Sequence, residues 1–140
     1  MDENDRRLLM IALCGYMPYG LKVHCKWSIP DEPNAVEDIG ELVSVGLEKE
    51  EFLVKRKTLT TRFPNNRSGC SVKPYLRLMS SMTAKEKKEW VRLRVDVDKY
   101  IVGYEVVVDF YNRNRFDYRG LIVDGLAMEA PDGMYETKSE

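Results

Sequence analysis

Seven residues, Leu21-Lys22-Val23-His24-Cys25-Lys26-Trp27, alternate without a break between apolar and cationic or polar side chains. A period of two is what a strand with one buried face requires, because successive side chains point to opposite sides of the backbone. The segment therefore predicts an antiparallel strand whose outer face displays Lys22, His24 and Lys26. Residues 40–47 and 51–57 continue the pattern on either side of Glu48-Lys49-Glu50, the spacing of a hairpin with a short loop. Val43, Val45, Phe52 and Val54 are expected inside, with Lys55 and Lys57 outside. Residues 72–78 alternate again, with Val72, Leu76 and Leu78 inward and Lys73, Tyr75 and Arg77 outward. Pro74 marks this last segment as an edge strand or one broken at its start.

Helical signals flank these strands. Residues 4–14 are rich in helix formers and stop at Gly15, with Pro18 just beyond, so Leu8, Ile11, Ala12 and Leu13 need a sheet to cover them. Thr83-Ala84-Lys85-Glu86 fits a capping box. The helix it opens runs to about residue 94, buries Trp90, Leu93 and Val97, and leaves Lys85, Lys87, Lys88 and Arg92 in water. In residues 104–111 three consecutive valines fit a strand, while Val106, Val107, Phe110 and Tyr111 also make a helical stripe. The polar break at residues 112–116 favours the helix. Asp117 is expected to cap a further short helix carrying Leu121, Ile122 and Leu126 that ends at Gly125, and Ala130-Pro131-Asp132-Gly133 spells a turn. Residues 29–38, with two prolines and four acids, read as an exposed acidic loop, and residues 58–71 as a polar connection at the tip of a wider hairpin. The expected fold class is α+β: an N-terminal helix, a small curled antiparallel sheet of four or five strands, SH3-like or OB-like, and two or three C-terminal helices.

At 140 residues and 44% hydrophobic, the chain is expected to form one globular domain over residues 1–135 with a frayed tail at 136–140. No apolar run reaches the roughly 18 residues of a membrane span, and the acidic opening Met1-Asp2-Glu3-Asn4-Asp5 is unlike a secretory signal. A soluble cytoplasmic protein is the expectation. Three cysteines at irregular spacing suggest reduced thiols rather than a disulfide framework or a zinc site. Charge is unevenly spread: residues 28–51 carry eight acidic and one basic side chain, residues 52–94 twelve basic and two acidic. Either the fold neutralises itself or one face is kept positive for an anionic partner.

Catalytic signatures are sparse. His24 falls between two lysines, Ser80 and Ser81 read as the approach to a helix cap, Asp96 and Asp98 as solvated acids, and Gly120 and Gly125 lack the lysine of a phosphate loop. Asp117-Tyr118-Arg119 is explained by a cap, a packed ring and a surface charge. No catalytic residue, metal site or cofactor is expected. The surviving functional pattern is the basic outer face: Lys22, His24, Lys26, Lys55, Lys57, Lys73, Tyr75 and Arg77, with Arg62 and Arg67 in the adjoining connection. Its cations would neutralise phosphates, and Tyr75 would stack on a base.

Three segments carry a resemblance. Lys73-Pro74-Tyr75-Leu76-Arg77-Leu78-Met79-Ser80-Ser81-Met82-Thr83, Pro18-Tyr19-Gly20-Leu21-Lys22 and the stretch from Phe116-Asp117-Tyr118-Arg119-Gly120-Leu121-Ile122 to Gly133-Met134-Tyr135 are similar to segments of short proteins of gut anaerobic bacteria and their phages. Leu78 departs from that pattern, which has proline there. The resemblance brings no activity with it and implies an accessory protein of a prophage or mobile element. Two functions follow as expectations: a non-enzymatic interaction protein, accessory or inhibitory, that binds a host or phage macromolecule; or a binder of anionic ligand, either nucleic acid or a nucleotide signal sequestered from a defence pathway. Exposure of Trp27, Tyr100 or Tyr111 would mark a homo-oligomer surface.

Overall fold

The computed structural model describes residues 2–65 and 69–135; the expected tail at 136–140 lies outside them. The chain is α+β. Helix α1 (Glu3–Tyr16) opens on a capping box in which Asp2 and Asp5 exchange backbone and side-chain bonds. Five strands follow, β1 (Lys22–Trp27), β2 (Val36–Gly46), β3 (Glu51–Arg56), β4 (Leu59–Pro64) and β5 (Cys70–Leu76), then helices α2 (Ala84–Asp98) and α3 (Glu105–Arg113) and a two-residue strand β6 (Met128–Glu129). The sheet order is β4-β3-β2-β1-β5-β6. All pairs are antiparallel except β5 with β6. A six-stranded open mixed sheet thus replaces the expected antiparallel sheet of four or five strands.

β2 holds the sheet together because it serves two neighbours. Val36–Glu41 pair with β1 and Glu41–Gly46 with β3. Residues 36–38 therefore belong to a strand, not to the acidic loop. The β2/β3 register shifts between Leu42 and Ser44, and this bulge re-aims the side chains. Leu42 is buried while Val43, expected inside, is 46% exposed. At Gly40 a Cβ atom would lie 2.4 Å from Val54 Cγ1 and 2.8 Å from the Lys55 carbonyl oxygen, so only glycine permits that approach. Residues 59–64, assigned to a polar connection, pair along their whole length with β3 through a turn at Lys57-Thr58.

Pro74 pairs with β1 on one side only, so at this residue β5 is locally an edge strand, as expected, although β6 joins it one residue later. Even-numbered residues of β1 carry the hydrogen-bonded pairs with β5. The Ser28 amide donates to the Gly69 carbonyl at one end. At the other end the Tyr135 hydroxyl accepts from the Lys22 amide (2.9 Å) and donates to the Tyr75 carbonyl (2.8 Å). Val23↔Pro74 falls between these pairs, so the missing amide points away from β1 and toward the side where β6 reaches only Tyr75 and Leu76.

The inner face of the sheet meets α1. Leu9, Leu13 and Tyr16 pack with Leu21, Val23, Cys25, Phe52, Val54 and Leu76, closed below by Leu121 and Leu126. The helix face is turned relative to expectation, since Ile11 is 54% exposed and Met10 buried. A second cluster gathers Val107, Phe110, Tyr111 and Phe116 under Trp90 and Leu93 of α2. Tyr118 touches both clusters and stacks on Tyr111 at 4.9 Å. The helix expected after Asp117 does not form. The Asp117 carboxylate accepts from the amides of Leu121 (2.8 Å) and Ile122 (3.0 Å), and consecutive turns with left-handed glycines at 120 and 125 lead into β6.

Candidate binding face of the sheet

Opposite α1 the outward side chains of β1, β2 and β3 stand largely exposed, while at the β5 end Tyr75 is buried. The registers order its outer face into rows across the strands: Lys55, Glu41, Lys22 and Tyr75; then Ile39, His24 and Lys73; then Glu37, Lys26 and Ser71. Lys22, Lys26, Lys55, Ile39, Glu37 and Glu41 are exposed, and Lys73 and His24 half-buried. The parity of β1, β3 and β5 thus brings Lys22, His24, Lys26, Lys55 and Lys73 together.

Their partners differ. His24 Nε2 sits 2.9 Å from Glu37 Oε1, a diagonal cross-strand contact that answers the two flanking lysines. Among the described residues no ion pair engages Lys22, Lys26, Lys55 or Lys73. Tyr75 is 6% exposed, and the His24 ring stands edge-on to it at 6.3 Å, so it offers no stacking face. Burial, then the Glu37 charge, raises its hydroxyl above the usual value. Arg62 shares the outer side three strands away and is bonded to Glu51 at 2.8 Å. Lys57 lies in the β3–β4 turn with φ 53°, and Arg67 is outside the described residues.

Arg77 has a structural task. Its two terminal nitrogens take both oxygens of Glu86 at 2.7 and 2.8 Å, reach the carbonyls of Ser81 and Asn114, and lie over the Phe116 ring at 4.3 Å. Glu86 is also the capping-box acid of α2. Burial pushes the Glu86 carboxyl up, but the Arg77 and Thr83 bonds outweigh it and hold the group below the ordinary glutamate value. A cleft of about 370 Å³ opens beside this pair, lined by Arg77, Leu78, Ser81, Thr83, Pro131 and Tyr135 among others. Two of the segments quoted for the resemblance meet across it.

Sequence reasoning missed Glu37 and Glu41. Val36-Glu37-Asp38-Ile39 does not alternate, since its two apolar residues fall on opposite faces of the strand, and Pro30 and Pro33 lie just upstream, so no period-two signal marked these acids. These acids intersperse the lysines and lower the positive potential of the face. Among the described residues no group of three or more His, Cys, Asp or Glu is placed to hold a metal ion, and no helix is long and apolar enough to cross a membrane.

No protein-family model, curated protein or solved structure matches this chain.

Proposed function

We propose that the chain is a non-enzymatic binding protein whose largely exposed outer sheet face receives a macromolecular partner. In this reading it is an accessory or inhibitory factor of a phage or mobile element acting in the bacterial cytoplasm. The observation that carries the reading is the outer face itself, where among the described residues Lys22, Lys26, Lys55 and Lys73 form no ion pair and Glu37 and Glu41 are interspersed with them. Alternating charges about 4.8 Å apart across strands suit a protein surface of mixed charge, whereas a polyphosphate would meet two repelling carboxylates. The long β2, which pairs first with β1 and then with β3 and carries a bulge between Leu42 and Ser44, supports an SH3-like or OB-like sheet as the scaffold of that face.

The unpartnered ammonium groups support a second reading, an anionic ligand such as single-stranded nucleic acid or a nucleotide signal. One pair of variants separates the two. Affinity capture from host extract with the native chain and with Lys22→Glu plus Lys26→Glu is expected to show one protein retained by the native chain alone. Retention by both, or by neither, removes the leading reading. Anisotropy titrations with a single-stranded oligonucleotide and with nucleotides at low salt test the other, which fails if no binding is seen.

A further inference from the structure

The outer side of α2 is a surface that the sheet reading does not use. α2 turns Trp90, Leu93 and Val97 onto the second cluster, yet none of its fifteen residues is fully buried. Val91 and Val95 project from the other side, 49% and 41% exposed and four residues apart. Around them Lys87, Lys88, Arg92 and Lys99 are exposed beside a single exposed acid, Asp98, and none of the ion pairs among the described residues uses the four cations.

A second observation lies at the end of this helix. The Ile101 amide bonds to the Asp96 carbonyl and the Tyr100 amide to that of Val97, the closure that places residue 100 in the left-handed region. Glycine is the natural occupant, but here a tyrosine holds φ 59° with its side chain 96% exposed. Among the described residues this strained backbone gains almost no packing for its side chain. Ile101, 65% exposed, extends the apolar surface.

We propose that this basic and apolar side of α2, with Tyr100 at its end, docks an acidic amphipathic helix of a partner protein. Carboxylates of such a helix answer the four cations, and its apolar stripe covers Val91, Val95 and Ile101. A nucleic-acid backbone would meet the cations and leave the valines uncovered. An anionic bilayer takes up large apolar side chains, and Trp90 faces inward, its indole nitrogen bonded to the Tyr111 hydroxyl at 2.9 Å. A second copy stacked helix to helix would set Lys87, Lys88 and Arg92 against cations of the same kind. The proposal is independent of the sheet face.

The test titrates the full chain with a helical probe peptide of about three heptads, leucine at two positions of each, glutamate at the two flanking positions and alanine or glutamine elsewhere, and with the same residues shuffled. Polyglutamate, a single-stranded oligonucleotide and anionic phospholipid vesicles complete the set. The patterned peptide is expected to bind roughly tenfold more tightly than the shuffled one, and to lose about that factor on Val91→Ser with Val95→Ser or on Lys88→Glu with Arg92→Glu. Circular dichroism checks that both exposed-site variants keep their helix content. Tyr100→Gly is expected to raise the thermal midpoint while weakening the peptide, a combination that a purely structural residue would not give. Lys22→Glu with Lys26→Glu leaves peptide affinity unchanged, which separates this surface from the sheet face. Equal affinity for patterned and shuffled peptides, tighter binding of oligonucleotide or vesicles, or indifference to the valine substitutions overturns the proposal. So does a homodimer that the valine substitutions disperse.

Discussion

Glu86 is committed several times over, and its titration records that. Its folded value lies below the ordinary one, so the stability it adds is present above the unfolded glutamate value, near 4.5, and is lost as pH falls through the folded value. Asp38 acts in the same direction, lowered first by the Ile39 amide and then by Arg56. Glu86→Gln is expected to cost about 2 kcal/mol at neutral pH, because the Arg77 guanidinium, with 11% of its side chain exposed, loses its counter-charge. Urea unfolding between pH 3 and 7 checks this: the acid loss of stability should shrink in the variant, and an unchanged acid limb would refute the assignment. Cys25 offers a separate reading of the core. Burial pushes its thiol up to about 12, while Cys14 and Cys70 are partly exposed. Native alkylation should reach Cys14 and Cys70 and spare Cys25 until the chain unfolds, as peptide mass mapping would show.

Among the elements, β1 and α2 were legible because one local rule governs each. Strict alternation needs only a covered face, and the Thr83/Glu86 capping box is closed within four residues. β4 was not, since Leu-Thr-Thr-Arg-Phe-Pro buries only Phe63 and its strand character comes from the ladder with β3. The stretch after Asp117 misled because a carboxylate accepting two amides and a left-handed glycine serve consecutive turns as well as a helix. The basic face was legible in β1, β3 and β5 and lost in β2, whose acids fall on the same side only once its pairing with β1 is known. Tyr135 is an element-scale device of the same kind, visible only in three dimensions. Tyr135→Phe strands the Lys22 amide and the Tyr75 carbonyl and should cost about 1–3 kcal/mol. Denaturant midpoints measure it, and a neutral substitution would mean that water replaces the hydroxyl.

At the scale of the molecule, stability is unevenly distributed. β1, β2 and β3 share the cluster that α1 covers, whereas α2 contributes only the partly buried Trp90, Leu93 and Val97 to the second cluster and is otherwise held by polar bonds such as Arg77–Glu86. Hydrogen exchange should show α2 amides opening well before those of β1 and the centre of β2, and equal protection of both would count against two separate clusters. The opposed charge blocks also meet within one sheet, where Glu37 contacts His24 and Glu41 stands between Lys22 and Lys55. Self-neutralisation and an open basic face are therefore two aspects of one surface. The tight approach at Gly40 bears on how this surface could diversify. A saturation library across residues 36–46 should return many viable substitutions at 37, 39, 41 and 43, whose side chains are exposed, and a blank at 40. The outer surface of β2 can thus vary on both sides of one forbidden position while the close approach of β2 to β3 is kept.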